Sequence, residues 1–191
     1  MQETAARLDK STIVPIIIEA INYERNAIDP QCFNLPDYRR FQVKLRESSP
    51  KQYMPRFMHG NCSGIIGSTA AILQIQELIE DCYPVILEAL QCDVWLQNVK
   101  KYLDNTDLVG NDSLCCGTAA WLDLLNTIRQ IPKYNDWANQ KMWSIIMSLN
   151  DAGIVFNAFS DQIEDISLFK GITGIGYCAL RIKGTYPSVL F

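Results

Sequence analysis

The sequence is short of histidine: its 191 residues include one, against seven cysteines. It also has no surplus of positive charge. Seventeen Lys and Arg oppose twenty-one Asp and Glu, a formal net charge of −4, so a strongly basic nucleic-acid footprint is not expected. Long apolar runs are missing too. Stretches such as 13–18 and 65–75 fall far short of the ~20 residues that span a bilayer. With 10 glycines and 8 prolines, the chain is neither collagen-like nor low-complexity. The opening MQETAARLDKST carries acidic residues where a secretory signal needs a basic start and an apolar run. Nothing resembles a hydrolase triad or a phosphate-cradling Gly-rich lysine motif.

What is present is a length suited to one domain, 48% hydrophobic and able to bury a core without disulfide staples. The cysteines are Cys32, Cys62, Cys82, Cys92, the adjacent Cys115 and Cys116, and Cys178. Complete internal pairing of seven would leave one thiol over. Without a secretory signal the chain reads as cytosolic, where thiols stay reduced and clustered cysteines more often mean metal than disulfide.

Helical periodicity dominates, and the expected class is all-α. Ile13, Ile16, Ile17, Ala20, Ile21 and Ala27 predict an amphipathic helix over 12–28, with Pro15 in its first turn and Asp29-Pro30 at its end. Residues 30–56 read as an irregular, locally basic segment punctuated by Pro30, Pro36, Pro50 and Pro55. Two readings of it stand open, a solvated excursion or a patch that steers an acidic peptide. Further helices are predicted from Ile65 to near Cys82, through Val85–Leu90, through Val94–Leu103, from Leu114 to Ile131, from an Asp136 cap to Leu149, and over Ile175–Lys183. Tyr186 to Phe191 reads as a strand-like tail. Trp95, Trp121, Trp137 and Trp143 have core-like spacing, which suggests packing rather than a ligand cage.

Glycine-marked turns open three of these helices. Gly60, Gly117 and Gly171 lie 57 and 54 residues apart, enough for a helix out, a turn and a helix back. Such a repeat of helical hairpins needs neighbours to bury each apolar face. Cys115-Cys116-Gly117 is the strongest chemical signal. Thiols at a helix start feel the positive end of its dipole, and thiolates are the soft ligands zinc prefers. The alternative is a buried structural cysteine beside an incidental thiol. His59, with Cys62 close behind, reads either as a satisfied polar group or as a functional residue at a hairpin mouth.

Several segments together resemble the lanthionine synthetase C-like cyclases, most closely the C-terminal cyclase region of type II lanthipeptide synthetases. Asn111-Asp112-Ser113-Leu114-Cys115-Cys116-Gly117, with Trp121-Leu122-Asp123-Leu124-Leu125, resembles the zinc motif and its following helix. Phe169 to Tyr177 and Pro187 to Phe191 are similar to that region's terminal motif and tail. Ala20 to Arg25 and Leu35 to Arg39 are similar to it as well, and Met58-His59-Gly60 falls where the family carries a Trp-Cys-His-Gly-like motif. The likeness covers essentially the whole chain, with its motifs in the family's order.

The resemblance implies a cyclase domain over residues 1–191, built as part of an α/α toroid of helical hairpins with Zn2+ at its mouth. It implies a substrate too: a precursor peptide carrying free Cys and dehydrated Ser or Thr, whose thiol adds to dehydroalanine or dehydrobutyrine to form a thioether ring. Metal activation of a thiol is the chemistry implied. Cys115 and Cys116 are then metal ligands, and His59 is a candidate catalytic residue. Met58 stands where the family has its other cysteine, and a thioether is a poor zinc ligand beside a thiolate. Cys62 is the candidate substitute. The turn after the cysteine pair, reading Cys-Gly-Thr-Ala-Ala-Trp, also departs from the family's glycine-rich form. The resemblance further implies that the chain begins inside the domain, without the segment bearing the family's acid/base histidine, and spans roughly half a ring. A second chain completing the toroid, a non-catalytic cyclase-like remnant and a partner-binding helical-repeat module are the alternatives to an active cyclase.

Overall fold

Apolar residues recurring at helical spacing must find a shared interior, and here they do so as hairpins packed side by side. The computed structural model describes residues 10–37, 56–62, 64–79, 83–108, 111–153, 166–184 and 186–188. The described chain is mostly helical. Its helices are α1 (Lys10–Asn26), α2 (Ile65–Ile79), α3 (Pro84–Leu90), α4 (Cys92–Asn105), α5 (Thr118–Ile128), α6 (Asn135–Ala152) and α7 (Ile172–Lys183). A 3-10 turn, Pro132–Tyr134, leads into α6. Two-residue strands β1 (Pro36–Asp37) and β2 (Arg56–Phe57) pair antiparallel, Pro36 opposite Phe57 and Asp37 opposite Arg56.

α5 is the central element, in contact with α2, α6 and α7. Its residues Thr118 to Asn126 are all buried, as a helix enclosed on every side must be. Trp121, Leu124, Leu125 and Ile128 join Ile65 and Ile66 of α2 and Trp95, Val99 and Leu103 of α4 in one core. Full burial of each large apolar side chain stabilises by about 1.5–3 kcal/mol. α2 packs on α4, and α1 packs on α3, where Arg25 Nη1 donates to the Ala89 carbonyl at 2.8 Å.

The structure departs from the sequence expectations at several ends. α1 starts earlier than expected, so Pro15 lies within the helix rather than in its first turn; it is exposed. The stop after α1 is as read: Asp29 Oδ1 accepts from the N–H groups of Gln31 (2.8 Å) and Cys32 (3.0 Å), closing a turn that cannot continue the helix. α5 begins at Thr118 rather than Leu114, because Leu114 to Cys116 form a turn. Asp136 does not cap α6; the cap position is Tyr134, and Asp136 sits in the first turn, where its charge suits the helix dipole. Trp143 is 58% exposed instead of packed, whereas Trp95 and Trp121 are fully buried.

Residues 186–188 are not a strand. Their carbonyls accept from side chains, Arg181 Nε to Tyr186 O at 3.0 Å and Tyr177 Oη to Pro187 O, so no strand partner is engaged among the described residues. Of the expected irregular basic segment, 38–55 lies outside the described residues, as do Cys82 and the end of the tail.

Candidate metal centre at the hairpin mouths

Helices α2, α5 and α7 each begin directly after a glycine, and this corrects the repeat register. Gly64, not Gly60, is the counterpart of Gly117 and Gly171, so the intervals are 53 and 54 residues. Gly117 and Gly171 each donate to the carbonyl four residues back, Ser113 and Ser167, at 3.0 Å. A Cβ at Gly64 would fall closer than 3.0 Å to the Met58 carbonyl, and one at Gly117 equally close to the Asn111 carbonyl. Gly64 also has φ +107°, a conformation other residues rarely adopt. The loops before the helices are tied to one another: Asn61 N donates to Cys115 O and Cys115 N to Phe169 O, both at 2.8 Å.

This ladder gathers the sulfurs. Gly60 lies against the backbone of the cysteine pair, where a Cβ would come within 3.0 Å of both Cys116 Cα and the Cys115 carbonyl. Cys62, Cys115 and Cys116 then present their Sγ atoms within 4.8 Å of one another. Cys116 Sγ is 3.3 Å from Cys62 Sγ and 3.2 Å from Cys115 Sγ. Cys62 and Cys115 are joined as a disulfide, with Cα atoms 6.3 Å apart, where sequence context favoured reduced thiols throughout. Cys62 is exposed and the pair half-buried. The remaining described cysteines stand apart. Burial raises the thiol pKa of Cys32 and Cys92 and pushes that of Cys178 up to about 12.

His59 is not a member of the sulfur group. Its Nδ1 shares a hydrogen bond with Tyr102 Oη, the two rings stack with centroids 6.1 Å apart, and its carbonyl accepts from Trp121 Nε1. Burial lowers its pKa below the ordinary histidine value. The loop carrying His59 and Cys62 is thus bolted to α4 and α5. Met58 contributes through its backbone: its carbonyl accepts from Asn34 Nδ2 at 2.9 Å. Asn34 is fully buried, and its Oδ1 also accepts from Ile65 N at 2.7 Å and Leu35 N at 2.8 Å. It therefore satisfies the start of α2 while holding the loop. Neither Asn34 nor Tyr102 stands out in the sequence. The only available signal was an Asn within a proline-marked turn.

A cleft of about 380 Å³ adjoins Cys62. Tyr23 and Glu24 of α1, with Ala27 in the turn after it, form one wall and Gly67, Ser68 and Ala71 of α2 the other, with Leu35, Pro36 and Asn61 between them. Asn61 Oδ1 is buried without a hydrogen-bond partner.

Hairpins in register, their mouths stitched together around three sulfurs, define a helical-repeat protein with a three-cysteine group close enough to share one metal ion. The family model described as Lanthionine synthetase C-like protein matches residues 3–190. The chain belongs to that family and is a lanthionine cyclase-like domain. No curated protein and no solved structure matches it. Among the described residues, no helix is long and apolar enough to cross a membrane.

Proposed function

We propose that this chain catalyses addition of peptide cysteine thiols to dehydroalanine or dehydrobutyrine, closing thioether rings in a precursor peptide. The observation that carries the reading is the convergence of Cys62, Cys115 and Cys116 beside an open cleft, within a family of cyclases. The donor set suits zinc once the cysteines are reduced. Three protein ligands with a fourth position left for a substrate or water are the common catalytic pattern, and Cys62 takes the part that Met58 cannot. Zinc held there would lower the pKa of a peptide thiol, so that thiolate is available near neutral pH.

The chain's own residues supply the rest. Gly60 and the Asn61–Cys115 bond keep the two cysteine loops in contact. His59, Tyr102 and Trp121 fix the loop that carries Cys62. The cleft, whose lining mixes polar residues such as Glu24 and Ser68 with apolar ones, would seat the peptide next to the reacting sulfur. In the reaction the thiolate adds to the β-carbon, a proton goes to the α-carbon, and peptide mass does not change. Ring completion by a second chain, stacked on the exposed α7 residues Ile172 and Leu180, and a reducing cytoplasmic setting belong to the same reading.

The test uses zinc-loaded protein and a dehydrated precursor peptide, with alkylation and mass spectrometry counting free thiols. The expected result is enzyme-dependent thiol loss at constant peptide mass, with zinc and activity both lost in Cys115→Ala and Cys116→Ala. Thiol loss no faster than without protein would refute the proposal.

A further inference from the structure

Three cysteines from two hairpins are held closer together than a bound metal alone explains. Cys116 Sγ touches both sulfurs of the Cys62–Cys115 pair, at 3.3 and 3.2 Å. The backbone leaves the loops little room to separate, because Gly60 packs directly on Cys115 and Cys116 and Asn61 N bonds the Cys115 carbonyl. Cys62 is exposed, so small oxidants reach the group. Burial holds the thiols of Cys32, Cys92 and Cys178 in their protonated, less reactive form.

We propose that Cys62, Cys115 and Cys116 form a reversible oxidation site for hydroperoxides, in which one disulfide migrates among three sulfurs and excludes the metal. The metal clause rests on the function proposed above; the disulfide clause stands without it. In the oxidation the Cys62 thiolate attacks a peroxide oxygen, the O–O bond breaks, and a sulfenic acid forms as hydroxide or alkoxide leaves. The Cys115 thiolate then attacks that sulfur, hydroxide leaves, and the disulfide forms. Two thiols are oxidised, one peroxide is reduced, and the oxygens depart as water and, for an organic peroxide, alcohol.

Migration needs no further oxidant. The Cys116 thiolate attacks Cys62 Sγ and releases Cys115 as thiolate, or attacks Cys115 Sγ and releases Cys62. In every form a single thiolate is left, and one sulfur cannot hold zinc against water and competing chelators. A dithiol reductant returns all three donors. The site therefore couples metal occupancy to oxidant level at the exposed mouth of the hairpins.

The experiment treats the reduced full chain with stoichiometric hydrogen peroxide, in zinc-loaded and metal-free arms. Released zinc is read with a chromogenic chelator, and bonds are mapped by alkylation and mass spectrometry. The expected result is one disulfide per chain, confined to the three cysteines and mapped in more than one pairing. Zinc should be released in step, and dithiothreitol with added zinc should reverse both changes. In Cys116→Ser the bond should map to Cys62–Cys115 alone. Oxidation that first joins or consumes other cysteines, one fixed pairing in the unsubstituted chain, or zinc retained after the bond has formed would each overturn the proposal. If the reduced chain takes up no zinc, the metal reading of the function falls, and the bonds mapped in the metal-free arm decide the oxidation site by themselves.

Discussion

Gly60 has no side chain because the Cys115–Cys116 backbone occupies the space where one would be. Neither neighbour can yield, since both are main-chain atoms rather than the end of a flexible side chain. Gly60→Ala should therefore cost about 1–3 kcal/mol of stability, as overpacking usually does, and should loosen the sulfur group. Urea denaturation together with zinc content checks this; unchanged zinc affinity would contradict it. His59 makes a different contribution. Burial lowers its pKa from the ordinary value of 6.5, so the unfolded chain binds its proton more readily. Stability from this source is present above about pH 6.5 and is lost as pH falls through the lower folded-state value. Melting curves between pH 7.5 and 5 should fall more steeply for the unsubstituted chain than for His59→Gln. Parallel curves would remove the assignment.

At the level of elements, the junction of α5 and α7 depends on a buried charge. Asp123, 1% exposed, pairs with Arg181 and accepts from Ser188 Oγ at 2.7 Å, while Arg181 also reaches the Tyr186 carbonyl. Removing one partner strands the other charge in the interior, which typically costs about 3–5 kcal/mol. Asp123→Ala should show that loss in equilibrium unfolding, whereas Asp123→Leu combined with Arg181→Met should recover most of it. A double variant as unstable as the single would mean that the pair is not the source. Helix existence was legible at this scale because 3.6-residue periodicity records burial along α1, α2 and α4 to α7. Helix ends were less legible. Cys115 and Cys116 look helical by pattern, but the turn around them is set by contacts with residues 60 and 169, far away in sequence.

Across the whole molecule, the hairpin repeat could be read from glycine spacing, but its register could not. Gly60 and Gly64 both sit in the first loop, and the start of α2 directly after Gly64, as α5 starts after Gly117 and α7 after Gly171, distinguishes the repeating station. The cysteine pair stood out in the sequence through its motif. Cys62 joins it only because Asn61 bonds Cys115 across the loops. Asn34 and Tyr102 left no comparable trace, since an Asn in a turn and a Tyr in a helix are ordinary until their partners are known. On the far side, Ile172 and Leu180 of α7 are exposed, and Gly176 has open space where a side chain would project, a surface fit for another apolar element.

The bond between the loops of Cys62 and Cys115 closes a span of 53 residues. Such a closure is entropically unfavourable until the intervening helices have packed, and distant pairings form late relative to local helix. The thiol group is therefore assembled by docking of the hairpins rather than by any local segment. The rate at which Cys62 and Cys115 become able to cross-link during refolding is a clock for docking of their hairpins.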